Sequence, residues 1–363
     1  MTSRTYRIGG HLVRVALEDP WTFKVLTQEQ KALVSRLRAG EDIGIVPVPA
    51  DRQEQLAVND ALMGKEAMTR ERWETLAPDE KDAWRHALDF EQYAPFEVAE
   101  EGEPLFTLTV HAEVPSWLEA SRPQWTLQTA VDEILPFYYG YTSEGRTLYE
   151  FFPAEGIRAG YFVMDADYRT GDYYPCPRIG SKTTLIQVNT SLMIQYTFTT
   201  AGLDTLLLHA SVTRYRGRGN LFFGVSGTGK STHSRLWHQY VPESDLMNDD
   251  NPVIRFADGA ARVYGSPWSG KTLCYRNVEA PVGALVRLEQ APANAIERLQ
   301  PLQAYASVIA AVSTIRWSSH IMGQLIPTVE KVAMNLPCYH LACRPDEEAV
   351  EVCRHAIETT SLS

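Results

Sequence analysis

The sequence predicts a mixed α/β fold with a β-rich N-terminal half, and three observations support this prediction. Between residues 105 and 200, short β-branched and aromatic runs are separated by Gly, Asp and Pro, which is typical of a sheet. From Thr205 onwards, strand patterns alternate with helical patterns, as they do in α/β proteins. A chain of 363 residues, 44% of them hydrophobic, is long enough for two cores. We therefore expect two domains, residues 1–204 and 205–363.

The N-terminal half predicts an antiparallel sheet with helical insertions. Tyr6–Leu17 predicts two short strands around a Gly-Gly pair, and Gln28–Leu37 predicts a helix. Two further helical stretches are expected between Met68 and Glu91. Additional strands are predicted at Phe106–Val110, Thr147–Phe152, Gly160–Met164 and Thr184–Val188. No pattern in this half predicts a chemical function.

The C-terminal half begins with a predicted hairpin. Thr205–Tyr215 and Asn220–Phe223 predict strands, and the short turn Arg216–Gly219 between them requires an antiparallel pair. This arrangement differs from an ordinary parallel P-loop sheet, in which a helix joins the strands. A second hairpin is predicted from Pro252–Phe256 and Arg262–Tyr264. The remaining predicted elements are helix Pro301–Trp317, helix His320–Leu336, strand Cys338–Leu341 and helix Asp346–Glu358.

A complete phosphate-binding motif follows the second strand. Gly224–Ser231 matches G-x-x-x-x-G-K-[ST], and the run before it is strand-like while the run after it is helix-like. Glycines let the backbone N–H groups point at phosphate oxygens, and the helix N-terminus adds its dipole. Lys230 is expected to contact the β- and γ-phosphates of ATP, and Ser231 to bind Mg²⁺. The predicted nucleotide-binding residues are Gly224, Val225, Ser226, Gly227, Thr228, Gly229, Lys230, Ser231 and Thr232.

Three further residues are candidates for the chemistry. Asp249 and Asp250 come after the predicted helix, where a P-loop site needs an acid for its metal. Neighbouring strand residues face opposite ways, so we expect one acid to hold Mg²⁺ and the other to accept a proton. A polar turn is the alternative reading of this pair. His209 precedes the hairpin and is either a member of the site or a structural histidine.

The segment Gly265–Arg276 and the C-terminal cysteines each have two interpretations. The segment either presents Lys271 or Arg276 to a phosphate, or is a surface connection around a buried Trp268. The cysteine region is either core or a zinc site, and the core is favoured because Cys353 shares a predicted helical face with Val350 and Ile357. The zinc-ligand candidates are Cys338, His340, Cys343, Cys353 and His355.

Composition restricts the partners that we expect. A net charge of −11 and a pI of about 5.4 disfavour nucleic acid and anionic membranes. The N-terminal sequence has no signal-peptide core, and no apolar run reaches the roughly 18–20 residues of a membrane span. Five cysteines in 363 residues favour reduced thiols. We therefore expect a cytoplasmic protein. The sequence leaves its oligomeric state open, and a homo-oligomer is one of the alternatives.

The order of these features resembles the superfamily of HPr kinase and ATP-dependent phosphoenolpyruvate carboxykinase. The resemblance rests on the run Leu208–Ser211, which reads L-H-A-S, the tight turn, the P-loop strand, the loop Gly224–Ser231 and the Asp249–Asp250 pair. It covers residues 205–363 and implies a carboxykinase-like P-loop fold. In place of the glycine-rich signature that follows the acids in HPr kinases, this chain has Gly265–Lys271.

The resemblance also implies roles for the site residues. Lys230 and the loop bind phosphate, Ser231 holds Mg²⁺ together with Asp250 or Asp249, and the other Asp, with His209 nearby, acts as the base. Our choice for the base is Asp249, which leaves Asp250 for the metal. The implied activity is an ATP- and Mg²⁺-dependent transfer of the terminal phosphoryl group to a hydroxyl, foremost of Ser, on a protein, peptide or small molecule. The alternatives are a carboxykinase-like enzyme acting on a keto acid and a nucleotide-sensing regulator without chemistry.

Overall fold

A computed structural model of the protein describes residues 1–45, 47–48, 74–99, 102–120, 126–128, 137–153, 157–177, 179–314 and 318–361. Helix and strand occur in about equal shares, which confirms the mixed α/β class. The chain forms two compact units. The first contains the described residues up to 27 and from 74 to 199, and the second contains those from 28 to 48 and from 200 onwards.

The first unit is organised by a sheet in the strand order β5-β1-β2-β6-β11-β10-β9-β8-β7. The hairpin β1–β2 turns at Gly9 and Gly10, whose φ angles of 54° and 81° favour glycine, so the predicted pair of strands is confirmed. The purely antiparallel prediction is wrong, because β6 is parallel to both β2 and β11. The strands of this unit are β1 Thr2–Ile8, β2 His11–Leu17, β3 Thr22–Phe23, β4 Ala87–Leu88, β5 Glu97–Val98, β6 Phe106–Val110, β7 Thr126–Gln128, β8 Phe137–Tyr141, β9 Thr147–Phe151, β10 Gly160–Met164 and β11 Thr170–Pro175. Strands β3 and β4 form a separate parallel pair outside this sheet.

The predicted strand Thr184–Val188 is wrong, because it lies inside the helix Ser181–Thr200. The β-branched residues of this segment favour a strand locally. Val188, Leu192 and Tyr196 are nevertheless spaced four residues apart and are all buried, which is a helical face. The Tyr196 hydroxyl donates to the Ile8 carbonyl at 3.1 Å, so this face packs on the sheet. Tertiary burial therefore outweighs the local strand propensity. The helices of this unit are α2 Pro78–His86, α3 Ser116–Ala120 and α4 Ser181–Thr200, with a 3₁₀ helix at Glu91–Phe96.

The second unit contains a sheet in the order β12-β16-β17-β18-β14-β13-β15, with β20 beside β18 and β19 beside β20. The predicted hairpin of β13 and β14 is confirmed, with antiparallel pairs from Ala210↔Phe223 to Tyr215↔Arg218. The strands β14 and β15 both run antiparallel to β13, so they end at the same edge. The strands are β12 Thr205–Leu207, β13 Ala210–Tyr215, β14 Arg218–Phe223, β15 Asp245–Asp250, β16 Val253–Ala257, β17 Ala260–Tyr264, β18 Glu279–Gln290, β19 Ala295–Arg298 and β20 Cys338–Cys343.

Helices cover the sheet of the second unit. Two of them, α5 (Lys230–Tyr240) and α8 (Glu347–Ser361), share a core with β14, β18 and β20, in which Phe222 contacts Trp237. Cys353 is buried in this core with Val350 and Ile357, so their predicted common face is confirmed. The predicted helix Pro301–Trp317 ends earlier, at Ala311, and residues 315–317 lie outside the described part. The helices are α1 Gln28–Arg38, α5 Lys230–Tyr240, α6 Pro301–Ala311, α7 Ser319–Asn335 and α8 Glu347–Ser361.

The predicted single strand Thr205–Tyr215 is wrong, since the chain bends at His209. Its first part, β12, pairs with β16 at the end of the sheet away from β13. Leu208 forms a bridge with Val312, and the His209 N–H donates to the Ala311 carbonyl at 2.8 Å. Ala311 and Val312, at the end of α6, therefore pair with His209 and Leu208, and the strand does not continue through these two residues. Among the described helices, none has the length and apolarity to cross a bilayer.

Candidate functional site

The loop Gly224–Gly229 connects β14 to the first turn of α5, which begins at Lys230. Gly227 and Gly229 have φ angles of 81° and 97°, a region that favours glycine. A Cβ on Gly224 would lie 2.8 Å from the Thr228 Oγ1 and 3.0 Å from the Leu288 carbonyl oxygen, so larger residues are excluded there. The strand–loop–helix context predicted for the phosphate motif is therefore present in the structure.

Side chains hold the loop in this curled shape. Thr228 Oγ1 donates to the Val225 carbonyl at 2.6 Å, and Lys230 Nζ donates to the Gly224 carbonyl at 3.2 Å. Gln290, at the end of the parallel neighbour β18, donates its Nε2 to the Gly227 carbonyl at 3.0 Å. Sequence reasoning missed Gln290. Its sequence context carries no signal, since only the pairing of β18 with β14 brings this residue to the loop.

The acids lie at the end of β15, one strand away from the P-loop strand. Asp249 pairs with Ser211 on β13, and Ser211 pairs with Phe222 on β14. Directly paired residues share a sheet face, and Phe222 packs against α5. Asp249 is therefore on the α5 face, and its neighbour Asp250 is on the other face, as the strand pattern predicts.

Asp249 is 4% exposed and is surrounded by hydroxyl groups. Ser231 Oγ, from the P-loop, donates to Asp249 Oδ1 at 3.0 Å. The side chains of Thr272 and Ser211 also hydrogen-bond this carboxylate. Burial raises the pKa of Asp249, against the lowering effect of the Thr272, Ser211 and Ser231 hydroxyls and the Lys230 charge. A bound cation would supply the charge compensation that these hydroxyls lack.

Asp250 has a different environment. Its side chain is 33% exposed, and its Oδ1 lies 3.5 Å from His209 Nε2. Its Oδ2 accepts a hydrogen bond from the side-chain Nδ2 of Asn251 at 2.8 Å. The φ angle of Asp250 is 138°, a region that favours glycine, so the surrounding structure holds this backbone in a strained conformation. The structure thus brings His209 to Asp250 and brings Ser231 to Asp249.

The segment 265–276 covers the outer side of β15. The Gly270 N–H donates to the Asp249 carbonyl at 2.8 Å, and Ser269 forms a bridge with Asp250. Arg276 is 2% exposed, and its guanidinium contacts Asp245 at 2.8 Å and the Leu246 carbonyl. The interpretation in which Arg276 presents its charge to a phosphate is therefore wrong, because its buried guanidinium pairs with Asp245 and the Leu246 carbonyl on β15.

The other residues of this segment lie as follows. Lys271 is exposed, and Trp268 is buried. Sequence reasoning missed Thr272, and only the fold places it against Asp249. Together these positions give the segment a structural role along β15, as the surface-connection interpretation expects.

The cysteines of the C-terminal region are mostly core residues. Burial raises the pKa of Cys338 to about 12, and Cys353 is buried in the α8 core. His340 lies between two glutamates, 3.0 Å from Glu289 Oε2 and 3.4 Å from Glu297 Oε1. Across the described part of the chain, three or more His, Cys, Asp or Glu side chains nowhere form a group that could hold a metal.

No protein-family model matches the chain, and a search of curated proteins finds no significant match. The site geometry therefore carries the functional argument.

Proposed function

We propose that the protein is an ATP- and Mg²⁺-dependent phosphotransferase that acts on a hydroxyl group. The observation that carries the proposal is the 3.0 Å hydrogen bond between the P-loop Ser231 and the buried Asp249, beside a second, accessible acid. Holding a nucleotide requires the loop and a metal-binding acid. The accessible Asp250 with its histidine goes beyond that requirement, and this favours chemistry over nucleotide sensing.

The residues at this position fit Mg²⁺. Magnesium prefers hard oxygen ligands, and P-loop proteins supply them as one hydroxyl and one carboxylate. Ser231 Oγ and Asp249 Oδ1 form such a pair, and the burial that raises the pKa of Asp249 makes a nearby cation favourable. When bound, Mg²⁺ would neutralise charge on the phosphates. This geometry favours Asp249 as the metal-binding acid, in place of Asp250.

Asp250 is then the preferred base. A general base must reach the proton of the incoming hydroxyl, and Asp250 is the more exposed of the two acids. It would accept the hydroxyl proton as the oxygen attacks the γ-phosphorus, and ADP would leave. His209 lies on its Oδ1 side and would hold the carboxylate in a fixed orientation. Lys230 and the loop amides would bind the phosphate oxygens.

The order of these elements supports an HPr-kinase-like member of the carboxykinase superfamily. The antiparallel hairpin β13–β14 leads directly into the P-loop, and His209 precedes that hairpin. A carboxykinase-like activity on a keto acid is the competing reaction on the same framework. A stable phosphoester product distinguishes the kinase from the carboxykinase, which consumes or releases CO₂.

The decisive experiment identifies the acceptor. The protein is incubated with γ-labelled ATP, Mg²⁺ and a lysate of the source organism, and mass spectrometry locates the label. A labelled hydroxyl that requires the protein and Mg²⁺ supports the proposal. Labelled phosphoenolpyruvate-type products with CO₂ turnover would favour the carboxykinase. Mg²⁺-dependent ATP binding with no labelled product from any fraction would favour the sensor.

A further inference from the structure

Thr272 links the candidate metal site to a distant part of the chain. It is 0% exposed, and its hydroxyl hydrogen-bonds the Asp249 carboxylate. The same Oγ1 accepts a hydrogen bond from the Val48 backbone N–H at 2.7 Å. Val48, which lies 224 positions earlier in the sequence, is therefore hydrogen-bonded directly to the hydroxyl that contacts Asp249.

The direction of these two bonds follows from the chemistry of the groups. A threonine hydroxyl has one hydrogen to donate, and an amide N–H can only donate. Because the Val48 N–H can only donate, Oγ1 is the acceptor of that bond, and the one hydroxyl hydrogen of Thr272 remains for its bond to Asp249. Val48 thus orients the hydroxyl that in turn orients the acid.

The chain before Val48 is attached to the same segment at a second point. The Gly40 carbonyl accepts a hydrogen bond from Arg276 Nη2 at 2.5 Å, and the Asn277 N–H donates to the Leu37 carbonyl at 3.1 Å. Gly40 has a φ of 76°, and a Cβ there would lie 2.8 Å from Val278 Cγ1. We call the described residues 37–45 and 47–48 the strap. Hydrogen bonds at both ends attach it to residues 272–277.

We propose that Thr272 is a positioning residue for the metal-binding acid, and that the strap is a working part of the Mg²⁺ site through the Val48–Thr272–Asp249 chain. This inference rests on the proposed function, because it assigns Asp249 to the metal. Its physical basis is that a buried carboxylate with a fixed orientation binds a cation without first rearranging. Loss of the Thr272 hydroxyl removes one of the three hydroxyl donors to this buried carboxylate.

The test is a Mg²⁺ titration of nucleotide binding, which needs no acceptor. A fluorescent ATP analogue is bound to the parent protein, to Thr272→Val, to Thr272→Ser and to a control, Thr205→Val. Thr205 is an equally buried threonine of the same unit, and its hydroxyl donates to the Leu203 carbonyl, away from the acids. Melting temperatures show that each variant is folded.

We expect Thr272→Val to raise the Mg²⁺ concentration for half-maximal binding by about tenfold or more. Affinity for the analogue without Mg²⁺ should stay at the parent value. Thr272→Ser should restore most of the Mg²⁺ affinity, and Thr205→Val should behave as the parent. Equal Mg²⁺ dependence in the parent and Thr272→Val would overturn the positioning role, and so would an equal shift in Thr205→Val.

The role of the strap is tested separately with Val48→Pro, which removes the N–H donor within a segment that already reads Pro47-Val48-Pro49. We expect a smaller shift of Mg²⁺ dependence in the same direction. A parent-like Val48→Pro would restrict the inference to Thr272 and refute the strap. If Thr272→Val does not fold, Thr272→Ala replaces it, and the same raised Mg²⁺ requirement is expected of that variant. A parent that binds the analogue without any Mg²⁺ dependence would overturn the proposed function together with this inference.

Discussion

Each of the two units contains a cluster of acids, and the two clusters are neutralised in different ways. In the first unit, His111 lies 3.1 Å from Glu18 and 2.9 Å from Asp172, and Arg146 contacts the other oxygen of Asp172 at 2.5 Å. In the second unit, hydroxyl groups surround Asp249, and Lys230 contributes the smallest of the effects that lower its pKa. Positive side chains thus pair with Asp172 directly, whereas Asp249 is held mainly by neutral hydroxyl groups.

The pKa values of the two buried acids reflect this difference. Burial acts to raise the pKa of both carboxyls. At Asp172 the hydrogen bonds and charges of His111 and Arg146 outweigh burial, and the pKa is lowered. At Asp249 the neighbouring hydroxyls do not outweigh it, and the pKa is raised. We therefore expect the internally paired acid to be structural and the acid held by neutral hydroxyls to accept a cation.

The largest effects should come from the acids of the second unit. Asp250→Asn should lower kcat by about 10²–10⁴ while nucleotide binding stays nearly intact, because the proton acceptor is lost. Asp249→Asn should instead raise the Mg²⁺ requirement, because a metal ligand is lost. Steady-state kinetics at several Mg²⁺ concentrations separate the two. The reverse pattern would indicate that Asp249 is the base and Asp250 the metal ligand. Parent-like behaviour of both variants would indicate that the pair is only a polar turn.

Lys230→Ala should reduce Mg·ATP affinity or turnover by at least about tenfold, roughly 1.4 kcal/mol, because a charge-assisted phosphate contact is lost. Equilibrium binding of ATP and the single-turnover rate measure the two effects. Lys331→Ala is a matched control, since Lys331 is a lysine of the same unit that pairs with Asp204. A folded Lys230→Ala variant with unchanged binding and turnover is incompatible with a functional P-loop.

His209→Ala should lower the single-turnover rate by about tenfold, or 1.4 kcal/mol, and leave ATP affinity unchanged. The reason is that His209 Nε2 lies beside Asp250 Oδ1 and limits the orientations of that carboxylate. Melting temperature and rate are measured on the same preparation. A destabilised variant with full activity per folded molecule would make His209 structural and leave Asp250 to act alone.

Asp172→Asn should have the smallest effect on activity and should mainly lower stability, by about 1–3 kcal/mol. His111 has a raised pKa, so its contribution to stability is present below the ordinary histidine pKa and is lost as pH rises through the folded value. The lowered pKa of Asp172 makes its contribution present above the ordinary aspartate pKa and lost as pH falls through the folded value.

The difference in melting temperature between the parent and Asp172→Asn should therefore be largest between about pH 4 and 6.5 and smaller at higher pH. Unchanged Mg²⁺ dependence is expected of this variant. A loss of turnover without loss of stability would contradict the structural interpretation of the first cluster.

The sequence alone determined the features that depend on neighbours along the chain. The loop Gly224–Ser231 was predictable because its glycines, lysine and serine act within one strand–loop–helix unit. The hairpin before it was predictable because a turn of four residues allows only an antiparallel return. The buried stripe of α8 was predictable from its helical spacing. Such local constraints act whatever the rest of the chain does.

The tertiary structure decided which distant groups meet. Alternation along β15 separates Asp249 from Asp250, but only the pairing with β13 shows which of them faces α5 and Ser231. The contact of Thr272 with Val48 joins residues that are 224 positions apart. The helix Ser181–Thr200 replaces a predicted strand because its buried face packs on the sheet of its unit. In each case the deciding free energy comes from burial and hydrogen bonding between segments, which no local pattern contains.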